Sequence, residues 1–518
     1  MGDDVIPVVE CAKFLGVHFD RRLSFIPHLN YVKNRCLKAL NLVKVCAARG
    51  LGADRNTKLM LYRSLVRSKL DYGAVVYSSA RPSYLKTLET IQNQGLRVAL
   101  NAFRTSPTTS LHVEAGELPL HLRHLQLSMM YFLKIQANDS NPAKTCVHNG
   151  NYDVWFNLRR NTIPTLRHRL RFHIQNAEIP LNNLFVLPNP FSPPPLPPAP
   201  PPFIDSPPQY NQPPPWLLQL PPVNMNLRGI NKASTPTSAI NSIFRLEMLR
   251  FPDACFVFTD GSKTGARSAS AMVSPVETYA VRITDNASVF TAEAFALKLA
   301  IRRIQICRDH RDFVICSDSL SVLQALASGR LDNPVIRDVL YEYNAVRGRR
   351  VAFLWVPSHC GIPGNELADV AAKNALQNDV HDVLLPYTDY RPLVRAYVID
   401  LWRQEWTQEP RNKLFRSGAE VNTTRSLMTS PRDETVWTRL RIGHCYLTHG
   451  HLLRREPPPV CTHCRCIYSI RHILISCTYL HNVRQRHFSA SSLRDLFSSV
   501  PTRRILNFLK DIRIYHKI

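Results

Sequence analysis

Seventeen of the 35 residues from 188 to 222 are proline, including the runs Pro193-Pro194-Pro195 and Pro200-Pro201-Pro202. A stretch so short of backbone N–H donors can build neither a helix interior nor a central strand. It divides the chain, because whatever folds before it and whatever folds after it must each close a core of its own. Residues 188–226 read as a stiff, extended linker, in preference to a ligand for the aromatic grooves of partner proteins.

At 518 residues the chain exceeds what one hydrophobic core usually serves, so several domains are expected. The boundaries read as 1–180, the linker at 188–226, a domain at 245–380 and another at 381–518. The net charge is +26, from 65 Lys and Arg against 39 Asp and Glu. Its distribution is uneven: residues 1–180 hold 25 basic and 12 acidic side chains, 381–518 hold 22 and 11, and 251–380 hold 14 of each. Basic flanks around a neutral centre suit a protein that grips a polyanion with some domains and performs different chemistry with another. Single-stranded RNA or DNA is the partner expected for the flanks; a merely solvated basic surface is the plainer alternative.

The 13 cysteines are an odd number, scattered apart from one group at 461–477, which argues against a disulfide framework and for a reducing compartment. The opening MGDDVIPVVE lacks the pattern of a signal peptide, and Ile6 stands where a myristoylation site carries Ser or Thr. No run approaches 18 apolar residues, so no membrane span is expected. The expectation is an intracellular protein of the nucleus or cytoplasm, not a secreted one.

Apolar residues at three and four spacing, interleaved with Lys and Arg, predict basic amphipathic helices at 27–46 and 55–70. After the linker the rhythm changes. The run 254–259 predicts a buried strand, with Asp260-Gly261-Ser262 as its turn, and 269–273 and 278–283 complete an antiparallel meander. Thr291 is read as the cap of a helix to Arg308. A strand follows at 313–316, then helices at 319–326 and 335–346, a strand at 351–356 and a last helix at 367–377. The pattern predicts an α/β domain, a mixed sheet with helices packed on it.

Four acids stand at element ends: Asp260 after a strand, Glu293 in the first turn of a helix, Asp318 after a strand and Asp369 near the start of the last helix. Any one alone is a cap or a surface charge. Together they can meet at one sheet edge, where carboxylates repel unless a cation neutralises them, and hard oxygen ligands favour magnesium or manganese. Two such ions can activate a water and stabilise the leaving oxygen of a phosphoryl displacement.

The segments FTDGSKTG (258–265), TAEAFALKLAI (291–301), CSDSLSVLQAL (316–326) and WVPSHCGIPGNELADVAAK (355–373) resemble, in order and spacing, the motif blocks of the cellular and retroelement ribonuclease H family. The resemblance implies a five-stranded mixed sheet with flanking helices. It implies that Asp260, Glu293, Asp318 and Asp369 bind two Mg2+ ions, with Mn2+ able to substitute. His359 matches the family's mobile histidine, which serves proton transfer or product release. The substrate implied is an RNA–DNA hybrid, recognised through the RNA 2′-hydroxyls. Asn365 and Glu366 lie beside the histidine loop, with equal weight for touching the site and for standing in solvent.

Three further segments, KFLGVHFDRRLSFIPHL (13–29), LYRSLVRSKLDYGAVVYSSA (61–80) and LRIGHCYLTHGHLL (440–453), resemble the reverse transcriptase polyproteins of non-long-terminal-repeat retrotransposons of the I-like and jockey-like kind. In that family the first follows the polymerase palm, the second belongs to a mainly helical thumb and connection region, and the third lies downstream of the nuclease. Polymerase chemistry there needs an aromatic residue, any residue, then Asp-Asp on a hairpin. Asp3-Asp4 is the only such pair and lacks that setting, so the expectation is a C-terminal polyprotein part that does not polymerise DNA.

Near the end, Cys461-x2-Cys464-x7-His472-x4-Cys477 has spacings that can close a tetrahedron around Zn2+ in a small helical Cys/His domain. Cys466 and His463 are spare donors in the same loop. The leading expectation is an endonuclease that cuts the RNA strand of RNA–DNA hybrids by two-metal catalysis. The alternative is a non-catalytic nucleic-acid-binding remnant, and a proline-tract scaffold comes third.

Overall fold

The computed structural model describes residues 8–47, 53–148, 165–186, 217–232, 234–307, 312–329, 331–422 and 430–518. Asp3-Asp4 and most of the proline run, 188–216, lie outside the described residues. The chain forms two compact units. One takes the described residues of Met1–Phe132, Asn149–Ala177 and Leu393–Ile518, and the other those of Leu133–His148 and Glu178–Pro392.

The second unit is built on a seven-stranded mixed sheet. In chain order its elements are β1 (Val223–Asn224), α1 (Thr237–Met248), β2 (Cys255–Thr264), β3 (Arg267–Val273), β4 (Thr278–Ile283), α2 (Val289–Ile306), β5 (Phe313–Ser317), α3 (Leu320–Ala327), α4 (Pro334–Ala345), β6 (Val351–Trp355), α5 (Pro363–Ala375) and β7 (Val380–His381). The strands lie in the order β1-β6-β5-β2-β3-β4-β7. β2 to β4 form the antiparallel meander, while β5 and β6 add in parallel beside β2. The five expected strands are present, and the two-residue strands β1 and β7 extend the sheet at its edges. Every residue of β5, FVICS, is buried, as a parallel strand covered by helices on both faces requires.

Three local expectations are corrected. Asp260-Gly261-Ser262 is not a turn: β2 runs on to Thr264, because its antiparallel ladder with β3 continues to the Thr264–Arg267 pair. The reversal comes at Gly265, with φ +61°. The parallel ladder with β5 stops sooner, at Thr259–Ser317, so Asp260 is the first residue past it and is still held on its other side. The cap of α2 is Ser288, whose hydroxyl accepts from the Thr291 N–H at 3.1 Å, so Thr291 is the capped residue. Helix α5 starts at Pro363, where a ring without an N–H costs nothing, and Asp369 therefore lies well inside it.

In the first unit the helices Ile26–Cys46 and Pro82–Ala99 pack with the Cys11–Phe14 and Val17–Asp20 hairpin around Leu40, Tyr62, Leu70 and Leu96. Ile442, from the far end of the sequence, joins this core. Ser110 Oγ donates to Asn412 Oδ1 at 2.9 Å, and Arg441 pairs with the fully buried Glu114 at 3.4 Å. The two basic flanks of the central domain thus pack with each other. A second cluster around Ile473, Leu474, Phe508 and Leu509 forms the core of residues 436–518. Among the described residues no helix is long and apolar enough to cross a membrane.

Candidate active site

One carboxylate oxygen from each of Asp260, Glu293 and Asp318 lies within 4.8 Å of the others. Three elements deliver them. Asp260 stands on β2, Asp318 follows the last residue of the adjacent β5, and Glu293 projects from the first turns of α2. Helix α2 reaches the strand because residue 261 has no side chain: a Cβ there would fall 2.4 Å from the Glu293 backbone nitrogen. Gly364 does the same for α5, since its Cβ would meet the Phe258 ring at 2.2 Å.

Asp369, on α5, groups with His359 and Glu366, their ligand atoms again within 4.8 Å. Lys373, one helical turn on, holds Asp369 at 2.7 Å, and His359 Nδ1 lies 4.0 Å from it. Asp369 is close enough to the first three acids for its charge to disfavour ionisation of Asp260 and Glu293. The fold therefore gathers all four sequence-selected acids, three in one cluster and the fourth at its border.

Burial and mutual repulsion dominate their ionisation. Asp260 is pushed up to about 7 by burial first, then by Asp318 and Asp369. Burial raises Glu293 well above the usual carboxylate range, with Asp260 and Asp318 adding to it. Asp318 is raised by burial, opposed by a hydrogen bond from Asn365 and by the charges of His359 and Lys232. Glu293 Oε2 is buried with no hydrogen-bond partner among the described residues. Buried carboxylates that lack cations within their cluster are costly. Oxygen donors spaced this way, one of them orphaned, fit hard divalent cations.

Around the acids the structure adds residues. Asn365, only 2% exposed, donates to Asp318 Oδ2 at 3.3 Å, so it touches the cluster. Glu366 accepts from the Gly361 N–H at 3.1 Å and braces the loop between β6 and α5. His359 sits in that loop, exposed, at a left-handed φ of 52°. Two contributors were missed by sequence reasoning. Trp355 Nε1 donates to the Asp318 carbonyl at 3.0 Å. Lys232 Nζ donates to the carbonyl and hydroxyl of Ser358 at 2.9 and 2.7 Å. Lys232 lies upstream of every motif block, and nothing in its local sequence signals the role.

In the first unit Cys461, Cys464, His472 and Cys477 also bring their ligand atoms within 4.8 Å of one another. The Cys464 and Cys477 sulfurs are 3.8 Å apart. A tetrahedron with zinc–sulfur arms of about 2.3 Å has edges near 3.8 Å, so the donor set fits zinc. The bridge between Val460 and Ile467 and the hydrogen bond from the Cys461 N–H to the Cys466 carbonyl, 2.8 Å, fold the first cysteine pair into a tight knuckle. The spare donors lie beside the quartet. Cys466 Sγ is 3.2 Å from His472 Nδ1, and His463 stacks on Tyr479 at 3.9 Å.

Residues 252–377 match the family model described as RNase H. The chain is 31% identical over 112 residues to the "Retrovirus-related Pol polyprotein from type-1 retrotransposable element R1" of Bradysia coprophila, covering 21% of this chain and 11% of that protein. It is 30% identical over 112 residues to the "Probable RNA-directed DNA polymerase from transposon X-element" of Drosophila melanogaster, covering 21% and 12%. For the corresponding protein from transposon BS of the same fly the figures are 27% over 117 residues, 23% and 13%. The aligned part spans little more than a tenth of the length of these relatives.

Proposed function

We propose that this chain, which carries a ribonuclease H domain of the kind found in retrotransposon polyproteins, hydrolyses the RNA strand of RNA–DNA hybrids with two divalent metal ions. The observation that carries the proposal is the convergence of Asp260, Glu293 and Asp318, bordered by Asp369 and His359, inside the matched segment. Magnesium bound by these acids would supply an activated water and a Lewis acid for the leaving oxygen.

The protein's own part is positional. Asp260 on β2 and Asp318 beside β5 form the fixed floor, and Glu293 and Asp369 close the sides from two helices. Asn365 holds the Asp318 carboxylate in one orientation. His359, exposed on its loop, is placed to pass a proton to or from the reacting strand. The RNA strand is selected through its 2′-hydroxyls, the feature that separates it from DNA at a given site.

The remaining assignments follow the same reading. Residues 1–180 are a thumb- and connection-like part, the proline-rich run from 188 a linker that ends before β1 rather than at 226, and 381–518 a basic Cys/His part in which Cys461, Cys464, His472 and Cys477 hold a structural zinc. The test is to incubate the full chain with a hybrid labelled on both strands in magnesium, beside Asp318→Asn. RNA-strand cleavage confined to the unsubstituted chain supports the proposal. An intact hybrid with a folded, metal-binding protein leaves a binding remnant in its place.

A further inference from the structure

In the first unit, the helices Ile26–Cys46, Arg55–Tyr62, Pro82–Ala99 and Pro431–Ile442 border an open cleft of about 970 Å3. Lys44, Lys58, Arg97, Arg104, Arg432 and Arg439 line it, and none of the described lining residues is acidic. Two carboxylates offset part of this charge at Lys58: Asp54, which also accepts from the Thr57 N–H at 2.7 Å, and Glu434, which also accepts from the Arg55 N–H at 3.0 Å. Six like charges around one hollow repel one another and leave a strong positive potential inside it.

The guanidinium groups are held mainly by neutral backbone oxygens. Arg97 donates to the Ser106 carbonyl at 3.3 Å, and Arg432 to that of Tyr515 at 3.2 Å. Arg439 donates to the Asn101 carbonyl at 3.0 Å. Such bonds fix direction without cancelling charge. Arg97 Nε is buried with no partner among the described residues, and the neighbouring Arg104 adds repulsion. The cleft is preorganised for an anion.

Its size and lining narrow the ligand. The volume is at the top of the range of about 300–1,000 Å3 typical of small-ligand pockets, which gives room for a few nucleotides of one strand. Among the described residues no aromatic side chain lines it, so these offer bases no stacking platform. Gln94, Asn101 and Thr435 offer neutral hydrogen bonds between the cations. We propose that this cleft binds the sugar–phosphate backbone of a single nucleic-acid strand without regard to sequence. The site belongs to the unit that does not hold the carboxylate cluster, and it stands whether or not the nuclease cuts.

The test uses the full chain carrying Asp318→Asn, so that cleavage plays no part, with fluorescent mixed-sequence single-stranded RNA and DNA and no added magnesium. Lys44→Gln with Arg104→Gln, both exposed positions, removes two charges without touching a core. Each phosphate that the cleft no longer neutralises lowers the salt dependence of binding to a single strand by about 0.7 in log–log slope. Affinity should fall at least tenfold at low salt and the slope by about 1.4, with the melting curve unchanged. Unchanged affinity and slope in a folded double variant would overturn the proposal. So would inorganic phosphate or pyrophosphate competing as well as an unlabelled strand at equal phosphate concentration, since that outcome makes the cleft a small-anion site. A variant that loses binding but also melts early is replaced by Arg104→Gln alone, which must lose about half of the slope change for the proposal to stand.

Discussion

Substituting alanine for Gly261 places a methyl group where α2 crosses β2. The new carbon would lie 2.4 Å from the Glu293 nitrogen, 2.7 Å from the Ala292 carbonyl carbon and 2.9 Å from the Glu293 Cα. Ordinary contact between such atoms is about 3.5–4.0 Å, so helix and strand must part by roughly 1 Å. The obstructing atoms are backbone in the first turns of α2 and cannot swing aside as a side chain would. Overpacking of this kind costs about 1–3 kcal/mol, a fall in melting temperature of roughly 3–12 °C for a domain of this size. The same displacement moves Glu293 away from Asp260, and a misplacement of about 1 Å in a catalytic constellation costs on the order of 100-fold in rate. Gly265→Ala is the control. Nothing lies within 4 Å of its Cβ, but its φ of +61° penalises a side chain by about 1–2 kcal/mol. Thermal melts and hybrid-cleavage rates of both full-length variants should separate the effects: similar destabilisation, with cleavage lost only for Gly261→Ala. A Gly261→Ala protein that melts and cuts like the parent would refute the packing argument.

Four further outcomes follow from the geometry. Saturating magnesium should stabilise the second unit by about 2.7 kcal/mol at a hundredfold excess over Kd and raise its melting temperature accordingly; Asp318→Asn should raise metal-free stability and blunt that response, and a response of full size would count against Asp318 as a ligand. Burial lowers His112 and His124 to about 4 from 6.5, so both stay neutral in the folded state while the unfolded chain takes up protons. Their contribution is therefore whole above pH 6.5 and is lost as pH falls toward 4, by about 3 kcal/mol each; urea melts should show it, and His124→Gln should flatten the pH dependence. Dialysis against a zinc chelator should release one zinc per chain, seen with a colorimetric indicator, and Cys461→Ser should abolish that release. Lys232→Ala should slow hybrid cleavage severalfold with KM little changed and shift the pH–rate profile, because the Ser358 carbonyl beside His359 loses its tether, while Lys232→Arg should restore part of the rate.

How much of this was legible in the sequence differs from element to element. The grouping of the acids and of the Cys/His quartet was legible because the acids sit in short motif blocks that resemble a known family and the quartet in close, regular spacing. The mixed sheet was legible in strand runs such as 313–316, apolar on both faces, while the order of its strands is set by pairing that no run encodes. The long β2 was not legible, because Asp260-Gly261-Ser262 has the composition of a turn, and only pairing with β3 keeps it extended. Lys232 was illegible for a different reason: its partner Ser358 is 126 residues away, and no local periodicity encodes such a contact. The cationic cleft has the same character, with Arg97 and Arg439 drawn from opposite ends of the chain.

The most direct measurement is strand-resolved cleavage of a doubly labelled RNA–DNA hybrid by the full chain in magnesium, with Asp318→Asn and a magnesium-free reaction alongside. Cutting of the RNA strand alone, absent from both controls, is the predicted result. An intact hybrid, from a chain that is folded and stabilised by magnesium, would contradict it.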